Sequence, residues 1–303
     1  MCGSRADSYF CILTDWRLGP DYEACTNMGL MKSLGSWLGA RSAKASSNAG
    51  NVGSPIDCPI CRKQSFFLDA LDFNRTCDDS HGALFLPSGT MVDYFLCQSC
   101  GFCFAPDMHA WPMDEFSQKV YNDDYLIVDR EYEFARPNKM ADSLENIFGA
   151  SKSLIRHLDY GGGSGLLSKK LKDFGWDSTS YDPFVNPDVD IAQLGEFDLI
   201  TAFEVFEHVP DVNALVGELK TLCKPSGMVL FSTQCSDGEI VKGVPLTWWY
   251  AAPRNGHVSL YSRRSLALLM GKKGFETVSF PNGTHASFYE VPHWASHLAG
   301  ILP

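Results

Sequence analysis

The sequence predicts an α/β fold: a mostly parallel sheet with an antiparallel edge strand and helices on both faces, preceded by a small cysteine-framed β module. Three observations carry this reading. After residue 150, short apolar runs alternate with stretches of helical periodicity, the pattern of a parallel sheet covered by helices. Two C-x-x-C pairs, Cys58/Cys61 and Cys97/Cys100, frame a turn-rich stretch with short extended runs. The chain ends on two strand-like runs, Glu276 to Phe280 and Ala286 to Val291, joined by Pro281-Asn282-Gly283-Thr284, which implies that one edge strand runs antiparallel.

Composition narrows the class. With 303 residues, 45% of them hydrophobic and 13% aromatic, the chain has the makeup of a folded globular protein. A net charge of -11 repels a phosphate backbone instead of displacing its counterions, so no nucleic-acid partner is expected and a small-molecule substrate is. No run of about 18 apolar residues occurs, and no membrane span is predicted. The first residues lack a charged region followed by an apolar one, so the chain reads as cytoplasmic. The eleven cysteines are then free thiols or metal ligands. Oligomeric state is not legible.

Taken in order, residues 1–55 read as a flexible leader, because residues 24–56 lack Asp and Glu and end in small polar residues. Within it, Leu30, Leu34 and Leu38 have the spacing of a short amphipathic helix. Residues 56–106 form the cysteine module, and residues 107–150 a helical connection containing Tyr121, Tyr125 and Tyr132. Residues 151–303 carry strands at Leu154 to Tyr160, Ser178 to Asp182, Phe197 to Phe203 and Gly227 to Thr233. Helices fall between them at Leu166 to Phe174 and Val212 to Cys223, with another at Arg264 to Lys273.

The sharpest motif is Asp159-Tyr160-Gly161-Gly162-Gly163-Ser164-Gly165, between a predicted strand and a predicted helix. Glycines there allow a tight turn and a close approach of the backbone to a ligand. Asp182, 17 residues past Gly165 at the end of the next strand, is placed to accept the hydroxyls of a ribose, which points to a nucleoside-containing cofactor. A dinucleotide fingerprint wants a small residue where Leu166 stands, which disfavours a nicotinamide-dependent oxidoreductase. The acidic residue followed by glycines spaced by one resembles motif I of class I S-adenosylmethionine-dependent methyltransferases. The resemblance continues through Phe197-Asp198-Leu199-Ile200, Phe203-Glu204-Val205-Phe206-Glu207-His208-Val209, Leu222-Cys223-Lys224-Pro225-Ser226-Gly227 and Gly274-Phe275. It implies a Rossmann-like domain binding S-adenosylmethionine. Asp159 would hold the methionine part, Gly161, Gly163 and Gly165 would meet the cofactor, Asp182 the ribose, and the backbone at Phe203 and Glu204 would line the pocket. Asp190 and Ile191 fall where an adenine-contacting pair is common.

Glu207 and His208 lie just past a strand's C-terminal end, the edge at which open α/β sheets place their ligands. His208 is a candidate general base because an ordinary imidazole titrates near neutrality, which predicts a rate rising through pH 6 to 8. A second cluster, residues 248–257, is too aromatic for a linker and reads as a substrate-covering loop that carries His257 to the site; the bland alternative is that Trp248 and Trp249 are packing residues.

Four thiolates from Cys58, Cys61, Cys97 and Cys100 suit tetrahedral zinc, making the module zinc-ribbon-like. With four sulfur ligands no open position remains, so the Zn2+ is expected to be structural, and the C-terminal domain is expected to fold without it. The paired knuckles followed by Tyr121 and Tyr125 also resemble the zinc-binding N-terminal region of sugar C-methyltransferases acting on nucleotide-linked deoxysugars. Those enzymes continue for a further domain beyond the methyltransferase core, where this chain has Pro303. The expectation is methyl transfer to a small acceptor, a sugar or glycan precursor among them. The alternative is a non-catalytic S-adenosylmethionine-binding or zinc-dependent interaction protein.

Overall fold

The computed structural model describes residues 54–298, Gly300 and Leu302. The leader expected over residues 1–55, with its amphipathic helix, lies outside the described residues except for Ser54 and Pro55. The first sheet holds β1 (Ile56–Asp57), β2 (Gln64–Asp72), β3 (Met91–Cys97) and β4 (Cys103–Phe104), paired antiparallel. Helices α1 (Pro106–His109), α2 (Met113–Lys119), α3 (Tyr125–Val128) and α4 (Ala135–Phe148) lead to the second sheet. That sheet is built from β5 (Arg156–Tyr160), α5 (Leu166–Asp173), β6 (Asp177–Tyr181), β7 (Phe197–Phe203), α6 (Val212–Leu222) and β8 (Cys223–Ser232). There follow β9 (Ser259–Leu260), α7 (Arg263–Gly271), β10 (Glu276–Ser279) and β11 (Thr284–Phe288).

The larger sheet has the order β10-β11-β8-β7-β5-β6. Strands β6, β5, β7 and β8 run parallel, while β11 is antiparallel to both β8 and β10. The reversed strand is therefore second from the edge, which corrects the expectation of an antiparallel edge. The crossover through α7 returns β10 parallel to β8 but one strand-width further out. The turn at residues 280–283, where Gly283 takes φ 77°, then folds β11 back into the gap. Apolar residues alternate faces along the central strands. Ile200, Ala202, Val229 and Phe231 pack with α6 and α7, whereas Leu199, Met228 and Leu230 pack with α4 and α5. Both faces are covered, as a parallel sheet requires.

The cysteine module is not insulated from this sheet. Strand β9, which follows the parallel strands in sequence, adds to the edge of β4, with Cys103 opposite Leu260. Cys58, Ile60, Cys97, Cys100 and Phe102 share one apolar cluster with Leu158, Ile200 and Val229 of the larger sheet. The Ser262 hydroxyl donates to the Cys100 carbonyl at 2.5 Å and also caps the first turn of α7. A side chain at Gly101 would come within 2.9 Å of Ser262 Cβ, so glycine is needed there for space as well as for its φ of 77°.

Candidate functional site

The motifs singled out from sequence converge at the C-terminal ends of β5, β6 and β7, where a cavity of about 1290 Å3 opens. Strand β5 ends at Tyr160 and the chain turns through the glycines, with Gly161, Gly163 and Gly165 all at positive φ. A Cβ on Gly161 would lie 2.5 Å from Val205, and one on Gly162 would lie 2.5 Å from an Asp159 carboxylate oxygen. The turn can therefore be made only by glycine. Asp182 sits opposite at the end of β6. One of its oxygens accepts the Gly163 N–H at 3.0 Å and the other the Phe184 N–H at 2.8 Å, which fixes the carboxylate in the cavity wall.

Asp159 is buried behind the loop and accepts a hydrogen bond from Thr201 at 3.0 Å. Burial pushes its carboxyl up to about 7, against the Thr201 hydrogen bond, with the Asp182 charge adding to the rise. At the end of β7, Phe203 and Glu204 line the cavity, and Glu204 holds φ at 53°, a left-handed conformation costly for a residue with a Cβ. Its N–H donates to Ser232 Oγ at 2.9 Å while that hydroxyl donates to the Glu204 carboxylate at 2.8 Å, so β8 holds the strained residue in place. Strain held by its surroundings at a cavity rim is a mark of a functional position.

His208 lines the cavity; Glu207 and His257 do not. Both are buried behind His208, with the two imidazoles 4.9 Å apart, ring centre to ring centre. Glu207 receives a short hydrogen bond from the Tyr250 hydroxyl, and a His257 nitrogen lies 2.8 Å from the Tyr250 carbonyl. Burial pushes His208 down to about 4, with the Arg136 charge helping and Glu204 opposing. His257 falls to about 3, by burial and then by the neighbouring His208. The expectation of a near-neutral base is thereby corrected: this imidazole stays unprotonated well below pH 6.

The aromatic segment 248–257 does not cover the cavity. Trp248, Tyr250 and Ala251 pack into a cluster with Leu71, Tyr94 and Met108, because large rings gain more by burial against the β2–β3 sheet than by facing water. Asp190 caps the short turn at Ile191–Gln193 by accepting the Ala192 N–H at 3.0 Å, and neither Asp190 nor Ile191 reaches the cavity; Phe184 and Val185 line it instead. Sequence reasoning also missed what stands opposite the glycine loop. Arg136 makes a two-pronged ion pair with Asp129, at 2.8 and 2.9 Å, and Tyr132 lies over Gly163. Tyr121 lies 4.9 Å from Tyr125 and 5.1 Å from Phe184, ring to ring.

The four cysteines converge as well. Cys58 and Cys100 sulfurs are 3.6 Å apart, Cys61 and Cys97 sulfurs 3.4 Å apart, and all four lie within 4.8 Å of one another. A tetrahedral zinc with bonds of about 2.3 Å needs sulfurs about 3.8 Å apart, so the donor set fits. The two knuckles repeat one backbone pattern: Arg62 N–H donates to the Cys58 carbonyl at 2.9 Å, Gly101 N–H to that of Cys97 at 2.8 Å. Arg62 at φ 61° does what Gly101 does, a role that its residue type does not announce.

Four histidines, His157 and His257 buried and His109 and His208 half-buried, should make the protein acid-sensitive. Burial pushes His109 and His208 to about 4, and His157 and His257 to about 3. The unfolded chain takes up these protons near pH 6.5 and the folded one only near 3 to 4, so stability falls as pH drops below about 6.5. At pH 5 each imidazole costs about 2 kcal/mol, and Asp159, raised to about 7 in the folded state, returns about as much as one of them, leaving a net loss of about 5 kcal/mol against a typical total stability of about 5–15 kcal/mol. Thermal unfolding should occur more than about 10 °C lower at pH 5 than at pH 7.5. An unchanged midpoint would show that these imidazoles are solvated.

Comparison with known proteins agrees with this geometry. Residues 132–280 match the family model described as a methyltransferase domain. The chain is 33% identical over 102 residues to the ubiquinone biosynthesis O-methyltransferase of Bordetella avium (strain 197N), a match covering 26% of this chain and 42% of that protein. It is 49% identical over 41 residues to the same-named protein of Acinetobacter baumannii (strain AYE), covering 14% of this chain and 17% of the relative. The chain thus spans less than half the length of these curated relatives. Among solved structures, magnesium protoporphyrin IX methyltransferase from Synechocystis PCC 6803 with bound SAH is 17% identical, with a TM-score of 0.34, covering 50% of this chain and 82% of that one. A likeness that loose adds nothing to the strand order described above. Residues 132–280, just under half of the chain, are thus similar to a methyltransferase domain. Among the described residues no helix is long and apolar enough to cross a membrane.

Proposed function

We propose that this protein transfers a methyl group from S-adenosylmethionine to a small-molecule acceptor, with His208 as general base. The observation that supports it most is the meeting of the glycine turn, the anchored Asp182 carboxylate and the His208 imidazole in the walls of one cavity. When bound, the cofactor supplies an electrophilic methyl on a sulfonium. In this reading Gly161 and Gly163 leave room for it, Gly165 opens α5 beside it, Asp182 accepts its ribose hydroxyls, and Asp159 supports its amino-acid end through the loop. Phe203 and Glu204 form the wall beneath. His208, held neutral by burial, takes the proton of the acceptor, while Glu207 and His257 hold the imidazole from behind. The volume of the cavity leaves room for an acceptor beside a nucleoside.

The four-sulfur site is assigned to structural zinc, held by Cys58, Cys61, Cys97 and Cys100. Its role is to brace the first sheet, and thereby α1 and α2, which form part of the cavity wall. Incubation with methyl-labelled S-adenosylmethionine and a metabolite extract tests the activity: label should pass to a small product, and at a cofactor concentration that half-saturates the wild type the transfer should fall roughly ten- to a hundredfold in Asp182→Ala. Cofactor binding without transfer to any component would favour a binding protein instead.

A further inference from the structure

The cavity wall extends beyond the cofactor motifs to residues with a distinct chemistry. They come from the helices ahead of the parallel sheet. Trp111 and Phe116 meet edge to face at 5.4 Å, and the Tyr121 ring, also in the wall, lies 6.1 Å from the His208 imidazole. Charge is strongly one-sided. Asp123, Asp129, Glu133, Asp182, Glu204 and Glu218 all line the cavity, and Arg136 is the one Lys or Arg among the described lining residues. Arg136 is already bound through both prongs to Asp129. Neither lining histidine, His109 nor His208, offers a positive charge near neutral pH.

We infer that the chamber lined by Trp111, Phe116 and Tyr121 takes an uncharged, ring-bearing hydroxyl compound and turns away compounds carrying phosphate or carboxylate, nucleotide-linked sugars included. Aromatic walls offer a ring a stacking surface and apolar contact. An anion entering the cavity meets carboxylates in its walls, and the one ammonium near Trp111, Lys119 at 4.6 Å over the ring, is already paired with Glu115 at 2.6 Å. S-adenosylmethionine, with two positive groups and one negative, suits that field. The inference rests on the methyltransferase reading and deepens it. It also parts from the resemblance to enzymes of nucleotide-linked deoxysugars, whose substrates carry a diphosphate.

The test uses the full chain loaded with S-adenosylhomocysteine, whose binding is first established by calorimetry. Catechol and methyl β-D-glucopyranoside are titrated against it, followed by saturation-transfer NMR, beside the matched anions phenyl phosphate and glucose 1-phosphate and the diphosphate dTDP-glucose. At least one uncharged ring should bind tenfold or more tighter than its matched anion, and the two neutral probes separate an aryl from a sugar source. Trp111→Ala should weaken that probe at least fivefold and leave S-adenosylhomocysteine affinity within twofold. Anions binding as tightly as the neutral probes, or no neutral probe binding while S-adenosylhomocysteine does, would overturn the acceptor chemistry alone. Failure of S-adenosylhomocysteine itself to bind would overturn the methyltransferase reading and this inference with it.

Discussion

Replacing His208 with alanine is expected to slow methyl transfer by roughly a hundred- to ten-thousandfold, the usual contribution of a general base, while changing S-adenosylhomocysteine affinity by less than about threefold. His208 lines the cavity and Glu207 and His257 do not, so the three variants should differ. Glu207→Gln and His257→Ala, which act through the imidazole, should lose less. The pH profile carries the second half of the expectation. A base must be unprotonated to act, and burial puts this one at about 4, so the wild-type rate should be level from pH 6 to 8. Below pH 5 the rate should fall along with stability, and melting curves at each pH separate the two. A His208→Ala variant with a near-normal rate would mean that proximity and orientation of an already nucleophilic acceptor suffice.

Removing the proposed zinc should disturb far more than the cysteine module. The sequence alone suggests that the methyltransferase domain folds without the knuckles, but the structure joins the two through β9 and through one apolar cluster containing Cys58, Cys97 and Leu158. Binding of a structural zinc by a small module is worth about 10–16 kcal/mol, comparable to the whole stability of a domain. Cys97→Ser, or a strong chelator, is therefore expected to lower the melting temperature of the entire protein by more than about 10 °C in a single transition. Metal analysis of protein purified under reducing conditions without chelators should give one zinc per chain. Two separate melting steps, with the second unchanged by chelation, would show that the sheets are independent.

Strands β7 and β8 were legible as apolar runs, Phe197 to Phe203 and Met228 to Phe231, and β5 and β6 by the glycine turn and the Asp182 that follow them. The position of β11 was not, since sequence shows a hairpin but not whether it adds outside or folds inward. Strand β9 is two residues long, below any periodicity, and is defined only by its partner β4. Helices α1 to α3 span four to seven residues, too few to show a 3.6-residue repeat, so the wall carrying Trp111, Phe116 and Tyr121 could not be placed from sequence. The aromatic run at residues 248–257 misled because Trp and Tyr are equally at home over a ligand and in a core, and only the opposing sheet decides. The His208 pKa depends on burial and on the Arg136 charge and the Gly256 backbone, groups far from it in sequence.

The central claim, that this cavity holds S-adenosylmethionine through the glycine turn and Asp182, meets its most direct test in calorimetry of S-adenosylhomocysteine and NAD binding to wild type and Asp182→Ala. Wild type should bind one S-adenosylhomocysteine per chain and no measurable NAD, and the variant should lose about 1.5–3 kcal/mol, the worth of hydrogen bonds to a charged acceptor. Tight NAD binding, or S-adenosylhomocysteine affinity unaffected by Asp182→Ala, would contradict it.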